Sequence, residues 1–302
     1  MWPTRKAPTC RRAAKMKFLQ LNLGRRLAFS EYGDPRGVPV FFCHGWPSSL
    51  TMATITDAAA RELGIRIISA DRPGISESTL HADRKLLDWP PLLRELADHL
   101  DIEQFRVLGI SGGAPYAYAS GWAMPQRVGA IAVVSGAPPI VDLNDHSGLL
   151  RLYRCMLRLH RHSPEFLRLC FRVVRPFAAQ RIPIRLRPLF LKIFQPTDAA
   201  VLRDSAAFDA CFESARRAWR GSAAGVMIDA QVYAEPWGFR LEDITVPVRL
   251  WHGTKDRAFS FRLAEQVAAR LPNCKVRIVD GAGHFSLPIR FMREILADLI
   301  SV

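Results

Sequence analysis

A serine set between glycines has the clearest capacity for chemistry in this chain. Ser111 is the centre of the segment 109–113, Gly-Ile-Ser-Gly-Gly, which has the pattern G-x-S-x-G. An apolar, strand-like run precedes it, and small, helix-compatible residues follow. A sharp turn from strand to helix, called a nucleophile elbow, strains such a serine and exposes its hydroxyl. Gly109 and Gly113 let the two elements pass closely, and the N–H of Gly112 is placed to bind an oxyanion.

Two further reactive side chains follow strand-like segments in the last third of the chain. Asp256 comes shortly after the apolar run 247–251, and His284 comes shortly after the run 275–279. Ligands of such sheets bind outside the carboxyl ends of the strands, so residues that follow strands meet at one edge. The order serine, acid, histidine is the order of a triad on this kind of sheet. We predict that Ser111, Asp256 and His284 form a catalytic triad.

Strand-like runs alternate with helix-like segments along most of the chain. Strands are predicted at 18–23, 27–32, 38–43, 65–70, 105–110, 131–135, 247–251 and 275–279, and helices at 49–63, 89–100, 114–123, 261–271 and 289–300. Continuous apolar strands between helices predict an α/β fold with a mostly parallel, doubly wound sheet that is covered on both faces. The pattern is helical only from about 139 to 238, which predicts a cap inserted between two strands.

These patterns divide the chain into a tail, a core in two parts and an insertion. We predict that residues 18–138 and 239–302 form the core and that 139–238 form the helical cap. Residues 1–17 hold six basic and no acidic residues and lack the apolar segment of a signal peptide, so we predict a disordered tail. Met16 is an alternative start of the protein.

Cysteine usage and hydropathy bear on the compartment of the protein. The six cysteines are scattered and form no C-x-x-C pair, which argues against a zinc site or a disulfide framework and suits a reducing compartment. No apolar run approaches the ~20 residues that span a bilayer. We therefore expect a cytoplasmic protein that carries no metal.

The chain resembles an α/β-hydrolase-fold protein over essentially its whole length after residue 17. Five motifs in the order of the family are more specific than any one of them. They are His44-Gly45-Trp46-Pro47, Asp71-Arg72-Pro73-Gly74, Gly109-Ile110-Ser111-Gly112-Gly113, His252-Gly253-Thr254-Lys255-Asp256 and Gly281-Ala282-Gly283-His284. The resemblance implies a hydrolase sheet with a helical cap and a catalytic serine.

The roles of the predicted residues follow from their chemistry. His284 accepts the proton of Ser111 during attack and returns it to the leaving group. Asp256 holds the imidazole in the correct tautomer and stabilises the imidazolium. The backbone N–H groups of Trp46 and Gly112 form the predicted oxyanion hole, at about 3–4 kcal/mol of transition-state stabilisation for each donor.

Other polar residues near the motifs have their own interpretations. Asp142, after the strand that follows the elbow helix, is an alternative position for the catalytic acid. Asp280 is predicted to be structural, His252 to orient its loop, and His44 to bind backbone. The pair Asp71-Arg72 is predicted to stabilise a turn. The remaining histidines are predicted to lie on the surface or in the cap: His81, His99, His146, His160 and His162.

These features predict an enzyme of class EC 3.1.1 that hydrolyses a small-molecule carboxylic ester through an acyl-enzyme on Ser111. Epoxide hydrolases and haloalkane dehalogenases of this fold carry aspartate at the elbow, so an alkyl-enzyme mechanism is disfavoured. A carbon–carbon bond hydrolase and a cofactor-free perhydrolase are alternatives on the same triad. A slowly reacting, receptor-like ligand-binding protein is an alternative from another class. We expect no cofactor, and the substrate and oligomeric state are left open.

The predicted cap is strongly basic. Residues 147–195 hold ten arginines and Lys192 against Glu165 alone. Such a segment could associate weakly with an anionic membrane or attract an anionic substrate, and the alternative is a solvated helix face. No recognised nucleic-acid-binding module accompanies the charge, so we expect no nucleic-acid partner.

Overall fold

The computed structural model of the protein describes residues 15–302. The predicted tail thus lies mostly outside the described residues, and its last residue, Lys17, begins the first strand. Within the described range, eight strands form one sheet in the order β1-β2-β4-β3-β5-β6-β7-β8. The strands are β1 (Lys17–Gln20), β2 (Arg26–Gly33), β3 (Val38–Cys43), β4 (Ile65–Ala70), β5 (Phe105–Ile110), β6 (Val128–Val134), β7 (Val248–Gly253) and β8 (Cys274–Val279).

The sheet is antiparallel at one edge and parallel elsewhere. β2 pairs antiparallel with both β1 and β4, while the six strands from β4 to β8 in the sheet order pair in parallel. The central strands are continuous apolar runs because both faces of the sheet are covered by helices. The predicted α/β fold with a mostly parallel, doubly wound sheet is confirmed.

Helices cover both faces of this sheet. On one face lie α2 (Trp89–His99), α3 (Ala114–Ala123) and α10 (Phe261–Arg270), and on the other lie α1 (Asp57–Glu62) and α11 (Ser286–Ile300). Successive strand residues point to opposite faces. Val107 accordingly packs in the core beneath α2 and α3, and its neighbour Leu108 packs in the core beneath α11.

A helical insertion joins β6 to β7. It comprises α4 (Arg151–His162), α5 (Pro164–Ala178), α6 (Arg187–Leu191), α7 (Pro196–Val201), α8 (Ser205–Gly221) and α9 (Ala223–Ala234). Its helices contribute most of two small apolar clusters, one around Phe171 and Trp219, which also includes Ile75, and one around Phe208 and Leu191. No helix of residues 15–302 has both the length and the apolar character needed to cross a membrane.

Some predicted element bounds differ from the structure. The single helix expected at 49–63 is a 3₁₀ helix, Leu50–Thr56, followed by the short α1. Threonine and isoleucine, which lose side-chain freedom in an α-helix, are concentrated in its first half. The strand expected at 18–23 ends at Gln20, because the chain turns at Asn22–Gly24 with Leu23 in the left-handed region (φ 61°).

Candidate active site

Ser111 lies in a strained turn between β5 and α3. Its φ of +54° is in the left-handed region, which residues with a side chain rarely adopt. The flanking glycines are required by close packing. A Cβ on Gly109 would lie 2.8 Å from the carbonyl oxygen of Gly113, and a Cβ on Gly113 would lie 1.9 Å from that of Cys43. The local geometry is that of a nucleophile elbow.

The structure brings the three predicted triad residues together. His284 Nε2 lies 2.9 Å from Ser111 Oγ, and His284 Nδ1 lies 2.8 Å from Asp256 Oδ2. The other carboxylate oxygen of Asp256 accepts the backbone N–H groups of Ala258 at 2.8 Å and Phe259 at 3.1 Å. These bonds fix the carboxylate, so the Nδ1–H of His284 donates to Asp256 and its Nε2 accepts from Ser111.

The charges of this site shift the pKa values of Asp256 and His284 in opposite directions. Burial disfavours the imidazolium, but Asp256 and, to a smaller extent, Asp198 outweigh it and raise the pKa of His284. Burial also disfavours the carboxylate of Asp256, but the charge and hydrogen bond of His284 prevail and lower the pKa of that carboxyl. An ionised acid beside a histidine that readily takes up a proton suits acid–base chemistry.

The loop after β3 passes directly over the elbow. The N–H of Trp46 has no hydrogen-bond partner among residues 15–302, and the N–H of Gly112 lies in the first turn before α3, where backbone donors are left free. Arg72 holds this loop by donating to the carbonyl oxygens of His44 at 2.7 Å and Gly45 at 2.8 Å.

Arg72 belongs to a buried ion cluster that joins the insertion to the sheet. Asp229, on α9, accepts from Arg72 Nε at 2.9 Å, from Arg84 and from Tyr116 Oη at 3.1 Å. Burial opposes the charge on Asp229, but the two guanidinium groups hold the pKa of this carboxyl well below its usual range. The cluster therefore ties the insertion to the loop that carries Trp46.

The structure also gives the contacts of Asp142, Asp280 and His252, other polar residues near the motifs. Asp142, the alternative acid, pairs with Arg270 at 3.1 Å and makes no hydrogen bond to His284 in the described structure. Asp280 accepts from Thr254 Oγ1 at 2.8 Å, which is a structural contact. His252 binds the carbonyl oxygen of Phe259 and so orients the acid loop.

The structure also bears on two predictions for the N-terminal half of the chain, those for His44 and for the pair Asp71-Arg72. The ring of His44 binds the carbonyl oxygen of Gly45 at 3.0 Å, as expected of a backbone contact. The prediction that Asp71 and Arg72 act as a turn-stabilising pair is wrong. Asp71 accepts from the N–H of Leu50 at 2.6 Å, while Arg72 reaches the loop after β3 and the insertion, so the two side chains hold different segments.

Sequence reasoning missed Asp198, on α7 of the insertion. This buried carboxylate accepts the backbone N–H groups of His284 at 3.1 Å, Phe285 at 3.1 Å and Ser286 at 2.8 Å. Carboxylates at the first N–H groups of a helix, here α11, are stabilising. No local signal in the sequence identifies this contact, because Asp198 and the segment that begins at His284 lie in different elements far apart along the chain.

An apolar cavity lies over Ser111. Its walls come from the loop after β3, from the elbow and mainly from the insertion. The apolar lining residues include Trp46, Ala137, Ile140, Tyr153, Met156, Leu157, Leu167, Met227 and Phe259. Few polar side chains line it, among them His160, Arg168 and Gln231. His160, predicted only as a surface or cap residue, is thus part of the cavity wall.

Among residues 15–302, no three histidine, cysteine, aspartate or glutamate side chains are grouped so that they could hold a metal ion.

The family of the chain follows from this fold and a sequence comparison. A model of the Alpha/beta hydrolase family matches residues 40–298. The match covers most of the chain, which therefore belongs to the alpha/beta hydrolase family.

Individual relatives are more distant. A protein named probable proline iminopeptidase, from Leptolyngbya boryana, is 32% identical over 102 residues, or 33% of this chain and 32% of that protein. The chain thus matches about a third of the length of this relative.

A bromoperoxidase structure from Bacillus anthracis is 18% identical with a TM-score of 0.72, covering 95% of this chain and 100% of that one. An esterase structure from Exiguobacterium antarcticum is 18% identical with a TM-score of 0.66, covering 94% and 97%. At these identities the structures show a shared fold.

Proposed function

We propose that the protein is a serine hydrolase that cleaves a carboxylic ester, in class EC 3.1.1, through an acyl-enzyme on Ser111. The observation that carries this proposal is the continuous chain of contacts from Ser111 Oγ to His284 at 2.9 Å and from His284 to Asp256 at 2.8 Å. Its end at Ser111 faces an apolar cavity.

In the proposed reaction, Ser111 Oγ attacks the ester carbonyl while His284 Nε2 accepts the hydroxyl proton. The carbonyl oxygen becomes an oxyanion, which the N–H groups of Trp46 and Gly112 stabilise. His284 then donates its proton to the departing alkoxide, which leaves as an alcohol. A water molecule attacks the acyl-enzyme with the same histidine as base, and the carboxylic acid is released with Ser111 restored.

The lining of the cavity supports an apolar acyl group as the bound part of the substrate. Apolar walls favour a hydrocarbon chain because its burial removes apolar surface from water. The bulky ring of Trp46 forms part of the cavity wall, and it packs against Tyr153, Phe171 and Tyr233 at ring-centroid distances of 6.2–6.3 Å. We propose a short or slender acyl chain for this reason.

The experiment compares turnover of short p-nitrophenyl esters by the wild type, Ser111→Ala and Ser120→Ala. Ser120 is a buried serine in α3 whose hydroxyl binds the carbonyl oxygen of Tyr116, so its variant controls for the loss of a hydroxyl. We expect the Ser111 variant to lose turnover and the Ser120 variant to keep it. Full turnover by Ser111→Ala would refute the proposal, and peracid formation from acetate and peroxide in place of ester cleavage would favour the perhydrolase alternative.

A further inference from the structure

The helical insertion exposes large apolar side chains far more than the rest of the protein. Eleven of the sixteen exposed large hydrophobic residues in the described chain lie between 150 and 193. Nine of them form what we call the apolar face. They are Phe166, Leu169, Val173, Val174 and Phe177 of α5, and Ile184, Leu186, Leu189 and Ile193 in and around α6. Clusters of this kind mark surfaces that contact another phase or partner.

The apolar face on α5 is not the face that packs the helix. Phe166, Leu169, Val173 and Phe177 recur at intervals of three and four residues, so they form one stripe along the helix. The buried side of α5 is a different stripe, in which Phe171 packs against Trp219 of α8 at a ring distance of 5.6 Å. α5 is therefore apolar toward its core and toward solvent.

The two parts of the apolar face are carried by the same support. α5 packs against one end of α8 through Phe171 and Trp219. The segment around α6 packs against the other end of α8 through Phe190 and Phe208, at a ring distance of 6.1 Å. Arg187 of this segment also pairs with Asp209 of α8 at 2.7 Å. Both parts therefore lie along one helix.

Unpaired positive charge lies on α5, around α6 and on α4, which packs against α5. Six exposed cations of the same region contact no carboxylate in the part of the chain that the structure describes: Arg151, Arg158, Arg161, Arg172, Arg185 and Lys192. Residues 147–195 as a whole hold ten arginines and one lysine against one glutamate. A basic region with exposed phenylalanine, leucine and isoleucine has the composition of a helix that lies in a membrane interface.

We propose that the apolar face and its six cations form a docking surface for an anionic phospholipid membrane. The charge favours this occupant, because a surface of phosphates complements the cations while the acyl boundary takes up the apolar side chains. α5 lines the cavity over the elbow with Leu167 and Arg168, next to the exposed Phe166 and Leu169. Docking would bring the wall of that cavity to the lipid surface. The binding itself does not depend on the proposed reaction.

The test is flotation of the full chain with vesicles of phosphatidylcholine alone and of phosphatidylcholine mixed with phosphatidylglycerol. The apolar variant is Phe177→Ser/Ile184→Ser/Ile193→Ser, at positions that are 71–78% exposed. Its control is Leu23→Ser, at a residue 93% exposed beside the far edge of the sheet. The charge variant is Arg158→Gln/Arg161→Gln/Arg172→Gln.

A second control, Arg36→Gln/Lys275→Gln/Arg290→Gln, removes the same charge from exposed positions outside the insertion. We expect the wild type and both controls to float with anionic vesicles at low salt. We expect the charge variant to partition roughly a hundredfold more weakly and the apolar variant at least tenfold more weakly. Because residues 1–17 are also basic, the comparison of variants carries the test.

Two results would overturn the proposal. One is binding that is equal in the wild type and in both insertion variants. The other is a dimer of the wild type in light scattering that the apolar variant converts to a monomer, because the apolar face would then be covered by a second copy of the chain.

Discussion

The carboxylate of Asp198 accepts the backbone N–H of His284 at 3.1 Å. Asp198 belongs to a helix of the insertion, and His284 belongs to the loop between β8 and α11. The insertion therefore does more than line the cavity over Ser111, since it also holds the backbone of the proposed general base. Asp198 also contributes to the raised pKa of His284, after the larger effect of Asp256.

We expect Asp198→Asn to lower kcat/KM for a p-nitrophenyl ester roughly ten- to a hundredfold. The reason is that a displaced His284 imidazole is no longer oriented to accept the proton of the serine hydroxyl. The acid limb of the pH profile should move to lower pH, because one of the carboxylates that raise the pKa of His284 is gone. Asp204→Asn is the matched control. Asp204 caps α8 through the N–H of Ala207 and does not touch the triad. Identical profiles for the two variants would contradict a positioning role.

The raised pKa of His284 predicts the shape of the pH profile. Only the neutral imidazole accepts the serine proton, so kcat/KM falls as the pH drops through the pKa of His284, with a midpoint above the ordinary value of about 6.5. Asp256→Asn removes the largest stabilising charge and should move this limb to lower pH while lowering the maximal rate by about 10⁴. Rates measured from pH 5 to 9, about the range in which histidine titrates, check both effects. If Asp256→Asn left the acid limb of the pH profile unchanged, this would argue against His284 as the base.

The buried cluster around Asp229 predicts a large effect on stability. Asp229→Asn leaves Arg72 and Arg84 buried without a counter-charge, so the free energy of unfolding should fall by about 3–5 kcal/mol. The matched control is Asp209→Asn, which breaks the more exposed pair with Arg187 and should cost about 0–1 kcal/mol. Urea unfolding of the two variants measures the difference. Equal losses would show that the cluster contributes no more than a surface ion pair.

The cavity wall predicts a change in chain-length preference. Leu157 of α4 lines the cavity, whereas Leu152 of the same helix is 58% exposed. Leu157→Ala should enlarge the cavity and raise the ratio of kcat/KM for octanoate to that for acetate, and Leu152→Ala should leave the ratio unchanged. The measurement is a series of p-nitrophenyl esters of increasing acyl length. An unchanged ratio in the Leu157 variant would place the acyl group elsewhere.

The sequence predicts the sheet and the proximity of the serine, acid and histidine side chains because both depend on local patterns. Ser111, Asp256 and His284 each follow an apolar strand, and parallel strands end at the same edge. The five motifs, which occur in the order typical of the family, make this prediction more specific than any one motif does. The end of the first strand could not be predicted in this way. Leu23 adopts a left-handed turn conformation that leucine rarely adopts, so its residue type does not indicate the turn.

The contacts that hold the site could not be predicted in this way. Asp198 and Asp229 lie on insertion helices, and their partners belong to the core. Nothing in the periodicity of a helix states where it docks on another part of the fold. Arg72 shows the same limit. Its position after a strand predicts a role in a local turn, but its guanidinium binds a loop and a helix that are distant in the sequence.

The proposed hydrolase requires Ser111 to be a nucleophile that His284 activates. The most direct measurement is mass spectrometry of the protein after reaction with a fluorophosphonate, which is attacked by an activated serine hydroxyl and loses fluoride. We expect one phosphonyl adduct, located by peptide mapping on Ser111, that is absent in Ser111→Ala and strongly slowed in His284→Ala. An unlabelled wild type, or an adduct that persists in Ser111→Ala, would contradict this role of Ser111.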